Sequence, residues 1–138
     1  MTNRYLIDFY RHYDEDGRLA SRHGSVEFLT TMHYIEKYLR PGFRILEIGA
    51  GTGRYSHALA RRGYEVSAVE LVEHNIEVLK ENTEEGENLS VFHGNALDLS
   101  FLSEEQYYLT LLLGPLYHLY TDADKRQAIR EAVRVTKT

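Results

Sequence analysis

The chain has 138 residues, 43% of them hydrophobic, a formal charge of −5 and a pI near 5.8. That suits one domain over residues 1–138 with a real core, and the acidic balance gives no electrostatic footprint for nucleic acid. Cysteine is absent, excluding disulfides, thiolate nucleophiles and cysteine metal sites, and no run of eighteen apolar residues offers a membrane span.

In chain order, Tyr5, Leu6, Phe9, Tyr10 and Tyr13 fall at near-helical spacing and predict an amphipathic helix over residues 3–14. Asp8 interrupts the apolar stretch a secretory signal would need, so a cytoplasmic protein is expected. After a turn at residues 14–18, Ser25 is placed to cap a helix over 26–39, with Phe28 or Leu29, Met32, Ile35 and Leu39 inward and Pro41-Gly42 ending it. Residues 44–48 predict a strand, 55–62 a helix stopped by Gly63, and 64–70 a second strand. A helix over 73–83 offers Ile76, Val78 and Leu79 for packing, and the acidic run 81–87 reads as a solvated turn. Residues 89–93 make a short strand, 94–105 a loop, and 107–113 a nearly continuous apolar run expected to be a strand buried on both faces. The last element, 122–136, places Ala128, Ile129, Ala132, Val133 and Val135 on a helical stripe. Strands alternating with helices across short connections predict an α/β fold with a parallel sheet covered on both faces.

Chemistry concentrates where the first strand ends. Glu47-Ile-Gly-Ala-Gly-Thr-Gly53 sets three glycines at alternate positions behind an acid. Glycine serves there because a Cβ blocks both left-handed turns and the approach of a ligand to main-chain N–H groups. Glu70 closes the second strand 21 residues after Gly49, a distance at which a nucleoside-binding fold places a carboxylate for the ribose hydroxyls. Two details oppose a dinucleotide. Arg54 stands where the third glycine of G-x-G-x-x-G would be, and Glu47 would repel a pyrophosphate while attracting an ammonium group. The expected ligand is a nucleoside carrying a cationic amine.

On these residues the chain resembles the class I S-adenosylmethionine-dependent methyltransferases of small-molecule type, from about Pro41 to Lys137. The resemblance implies a Rossmann-like fold, S-adenosyl-L-methionine as cofactor and a small-molecule methyl acceptor. Glu47, Gly49, Ala50, Gly51 and Gly53 would form the cofactor loop, and Glu70 would hold the ribose. Leu71 would lie against the adenine, with Asn95 and Ala96 at the adenine edge, where the family carries Asp-Ala. Gly114 would pass close to the methionine part, Tyr117 and His118 would face the acceptor, and Arg18 would pair with the ligand carboxylate. Residues 1–40 resemble an N-terminal helical cover and 41–138 an incomplete core, strands 3-2-1-4 of a seven-stranded sheet ordered 3-2-1-4-5-7-6. The open apolar edge at residues 110–113 is then expected to be covered by self-association, as a homodimer or larger assembly. His118 is the first candidate for a general base if the acceptor must lose a proton. The seven histidines are scattered without metal-ligand spacing, so no metal is expected. Two alternatives keep the fold: a non-catalytic cofactor-binding or assembly module, and an NAD-dependent oxidoreductase.

Overall fold

A computed structural model describes residues 22–115 and 119–138. The expected helix over residues 3–14, together with Arg18, Tyr117 and His118, lies outside the described residues. The elements run α1 (Arg22–Glu36), β1 (Arg44–Ile48), α2 (Arg54–Arg61), β2 (Glu65–Glu70), α3 (Glu73–Glu81), β3 (Leu89–His93), β4 (Leu109–Leu112) and α4 (Asp122–Val135). The strands form one parallel sheet in the order β3-β2-β1-β4, as expected for the Rossmann-like half-sheet. No helix among the described residues is long and apolar enough to cross a membrane.

β1 is the centre of the core because apolar residues serve both of its faces. Ile45 packs with Met32, Ile35, Tyr55 and Leu59 on the side of α1 and α2. Leu46 and Ile48 pack with Val69, Leu99, Leu102 and Val135 on the side of α4. The register Ile45↔Val66 and Ile45↔Leu109 carries these layers into β2 and β4. α2 ends as its sequence dictates. Gly63 takes φ 96°, so that its own N–H reaches Ala60 O at 3.0 Å and the N–H of Tyr64 reaches Leu59 O at 3.3 Å.

Several expectations change in the folded chain, and the choice between Phe28 and Leu29 is settled. Ser25 does not cap α1, because the chain is already helical from Arg22 and Ser25 has no orphan first-turn amides to satisfy. Of the two candidates Phe28 packs inward, whereas Leu29 is 66% exposed. On α4, Ala128, Ala132 and Val135 share the inward face. Ile129 and Val133 lie one residue round the helix and point outward, at 46% and 62% exposure. The strand expected over 107–113 contracts to four residues at the edge of the sheet, with Leu111 its one buried position. Its entry is flanked by the last residues of the chain. Tyr107 bridges Thr136 in parallel, Lys137 N–H donates to Tyr107 O at 2.7 Å, and Thr110 Oγ1 meets Thr136 Oγ1 at 2.7 Å.

The acidic turn before β3 is not simply solvated, since Glu87, half-buried as a residue, has only 2% of its side chain exposed. Its Oε1 lies 2.9 Å from His57 Nδ1 and 3.4 Å from Arg61 Nε, and its Oε2 accepts the Glu84 N–H. An ionised carboxylate only accepts, so His57 carries a proton on Nδ1 at this contact. Burial pushes the Glu87 carboxyl up, but the Glu84 N–H, the His57 hydrogen bond and charge, and Arg61 outweigh it and hold the carboxyl below its ordinary range. A carboxyl depressed by folding stabilises the fold above its unfolded value and loses that contribution as pH falls through its folded value. Acid titration of stability should therefore show a loss starting below about pH 4.5 that Glu87→Gln blunts. An unchanged acid limb in that variant would remove Glu87 from the account.

Candidate cofactor-binding site

β1 leads into α2 on one face of the sheet and β4 into α4 on the other, so a crevice opens at their C-terminal ends where the topology switches direction. The floor is the glycine loop. Gly49 N–H and Ala50 N–H both donate to Val69 O, at 2.8 and 3.1 Å, extending the β1–β2 pairing past the strand. The chain then turns through Gly49, Gly51 and Gly53 at φ 74°, 62° and 89°. At Gly49 the need is steric as well as conformational, since a Cβ would stand 2.5 Å from Pro115 Cγ. Pro115 thus brings the segment after β4 directly onto the loop. Beside it, no atom among the described residues lies within 4 Å of where a Gly114 Cβ would be, its chain neighbours apart.

Glu70 is buried at the end of β2 and braced from two sides. Its Oε1 accepts the Gly51 N–H at 3.0 Å, while Oε2 accepts the Val72 N–H and Asn75 Nδ2, each at 3.0 Å. Asn75 escaped sequence reading although a signal existed. It falls four residues before Leu79 on the inward stripe of α3, and a polar residue in that stripe needs a partner inside. Next to Glu70, Leu71 is held by its carbonyl, which accepts from His93 Nε2 at 2.8 Å. Glu47 lies 3% exposed beneath the loop, where Ser56 Oγ donates to its Oε1 at 2.7 Å. A carboxylate under the first turn of α2 is also favoured by the positive end of that helix.

The third wall is the loop after β3. Asn95 Oδ1 accepts the Leu97 N–H at 3.0 Å, Asp98 N–H returns to Asn95 O at 3.0 Å, and Ala96 lies between them, half-buried. One lone pair of the Asn95 amide oxygen therefore shapes its own loop, and the group carries two. Asp98 Oδ1 in turn accepts the Ser100 N–H, and the Ser100 side chain and backbone hold its carboxyl below the ordinary range. α1 braces the exit of the glycine loop. Phe28 packs 5.1 Å from the Tyr55 ring and lies 4.3 Å under the Arg54 guanidinium. Glu47, Gly49, Ala50, Gly51, Gly53, Glu70, Leu71, Asn95, Ala96 and Gly114 are thus all at the C-terminal ends of the four strands. No cluster of His, Cys, Asp and Glu among the described residues could hold a metal ion.

This fold and crevice define a Rossmann-like α/β domain with an acid-flanked glycine loop. A profile of the methyltransferase domain matches residues 45–138, and the chain belongs to that family. It is 39% identical over 79 residues to a protein described as a probable ribosomal RNA small subunit methyltransferase A of Methanosarcina acetivorans, covering 54% of this chain and 29% of that one. It is 32% identical over 102 residues to a demethylmenaquinone methyltransferase of Staphylococcus aureus, covering 72% of this chain and 41% of the relative. A crystal structure of a protein from Pyrococcus horikoshii superposes over 94% of this chain and 61% of its own, with a TM-score of 0.81 at 22% identity, a likeness of fold. A SAM-dependent methyltransferase from Methanosarcina mazei superposes over 75% of this chain and 52% of its own, with a TM-score of 0.68 at 25% identity. The chain thus spans less than half of these two curated relatives. The family and the SAM-dependent neighbours imply S-adenosylmethionine as the cofactor class.

Proposed function

We propose that this chain binds S-adenosylmethionine and takes part in methyl transfer to a small-molecule acceptor. The observation that carries the reading is the hydrogen bond from Gly51 N–H to Glu70 Oε1. In a dinucleotide site the loop amides turn toward a pyrophosphate. Here a carboxylate already occupies one of them, with Glu47 behind it. Two like charges about 4 Å apart at an effective dielectric near 20 repel by about 4 kcal/mol, so an anionic diphosphate is disfavoured and a cationic amino acid nucleoside favoured.

In this reading Glu70 accepts from the ribose hydroxyls, and Leu71 with Ala96 supplies apolar contact to the adenine. Asn95 accepts from its amine, and Glu47 favours the ligand ammonium. Gly49, Ala50, Gly51, Gly53 and Gly114, with small side chains or none, let the ligand approach the main chain closely. Arg18 pairs with the ligand carboxylate, and Tyr117 and His118 face the acceptor. When bound, the cofactor supplies a methyl group already activated on a sulfonium. The chain's part is therefore alignment and exclusion of water. His118 takes a proton where the acceptor must lose one.

Calorimetric titration should give one-to-one binding of S-adenosylhomocysteine and no heat with NAD, and binding of NAD alone would overturn the reading. The proposal includes a cytoplasmic setting and self-association. Support for the latter is that β4 is an edge strand among the described residues and that Leu113, Ile129 and Val133 are exposed apolar groups. Sedimentation should show a dimer or larger, and a monomer at all concentrations would rule it out.

A further inference from the structure

The loop that carries Asn95 and Ala96 has no ladder of its own, yet Leu99 and Leu102 sink into the core at 0% and 4% exposure. Their main-chain groups need partners. The Leu102 N–H finds Leu99 O at 2.8 Å within the loop, and the other partners come from one stripe of α4, at positions i, i+4 and i+7. Gln127 Nε2 donates to Leu97 O at 3.1 Å, and Glu131 Oε2 accepts the Leu99 N–H at 2.6 Å. Arg134 donates from Nη2 to Leu99 O at 2.8 Å and from Nη1 to Leu102 O at 3.0 Å. Nε and Nη2 of Arg134 also reach the two Glu131 oxygens, at 2.9 and 3.1 Å. A planar guanidinium can meet two carbonyls and a carboxylate at once, which a lysine ammonium cannot reproduce. That hydrogen bonding holds the Glu131 carboxyl below, and Arg134 above, the ordinary range.

The clasp ends two residues from Asn95, and the Leu97 residue joins them. Its N–H bonds to Asn95 Oδ1 and its C=O to Gln127. A shift of the loop main chain at Leu97 or Leu99 therefore reorients the Asn95 amide. We infer that Gln127, Glu131 and Arg134 are positioning residues that set the adenine-edge loop in its reading geometry, so that α4 tunes which nucleobase the crevice accepts. The inference rests on the cofactor reading proposed above.

The test uses two probes that differ at the base edge, S-adenosylhomocysteine and S-inosylhomocysteine, which carries a carbonyl in place of the adenine amine. Calorimetry on the full chain compares their dissociation constants for the unsubstituted protein, Arg134→Lys and Gln127→Met, with urea unfolding alongside. The expected result is a preference for the adenosyl compound that falls about tenfold in each variant, the equivalent of one hydrogen bond. A clasp that served stability alone would lower the unfolding midpoint and leave the ratio unchanged, and that result overturns the inference. Equal binding of the two probes by the unsubstituted protein also overturns it. Should Arg134→Lys fail to fold, Gln127→Met at its half-buried position decides the matter by the same ratio. Failure of the unsubstituted protein to bind S-adenosylhomocysteine at all would sink the cofactor reading itself, a result distinct from an unmoved ratio in variants that still bind.

Discussion

Glu70→Ala should abolish measurable binding of S-adenosylhomocysteine and destabilise the fold as well. The carboxylate accepts from Gly51 N, Val72 N and Asn75 Nδ2. Its removal strands three donors at a site 5% exposed. A buried donor left unsatisfied costs about 1–3 kcal/mol, and water entering the vacated volume recovers part of it, so a loss of about 3–5 kcal/mol is expected in urea unfolding. Glu70→Gln separates the two roles. One amide oxygen still accepts, but the amide NH2 must face one of the N–H donors, giving about 2 kcal/mol of destabilisation while the ligand loses its anionic partner. Binding that weakens by more than the stability loss predicts would mark direct contact with the ribose. A Gln variant that binds as tightly as the unsubstituted chain would remove Glu70 from the ligand's surroundings and leave it a brace for the loop.

That dual role shows where sequence reading stops. The position of Glu70 was legible, because strand ends and glycine loops announce themselves by punctuation and the distance between them is fixed by one crossover helix. Its partner Asn75 was hidden, since an asparagine within a helix gives no local sign of what it touches across the turn. The 44–48 strand and the 89–93 strand were legible for a related reason. Short apolar runs bounded by turn residues have few other places to go. The edge place of β4 was legible from the half-sheet order, but its burial was not, because its composition is that of a strand buried on both sides and Leu111 is its one buried position. Ile129 and Val133 misled because a stripe of apolar residues wider than one face cannot say which edge turns inward. The clasp of Gln127, Glu131 and Arg134 binds main chain some thirty residues away, and main-chain partners leave no mark on the sequence that supplies them.

Gly49→Ala tests the close approach on which the crevice depends. The residue sits at φ 74°, where an L side chain costs about 1–2 kcal/mol. The added Cβ would also stand 2.5 Å from Pro115 Cγ and 2.9 Å from Cδ, contacts that force a shift. A proline ring cannot swing aside as a flexible chain end does, so the segment after β4 must move away from the loop, carrying Gly114 with it. Gly63→Ala supplies the reference, because Gly63 has φ 96° with nothing among the described residues within 4 Å of its Cβ and lies at the far end of α2. The reference substitution should show the conformational strain alone and leave ligand affinity intact. Gly49→Ala should lose about 1–3 kcal/mol more, in the range for overpacking, together with ligand binding. In a double-mutant cycle Pro115→Ala should restore part of the stability lost at position 49, because the clash is shared between the two residues and their effects cannot add. Additive effects of the two substitutions would mean that Pro115 yields freely, and the crevice wall would then owe its place to the β4 backbone rather than to its contact with the glycine loop.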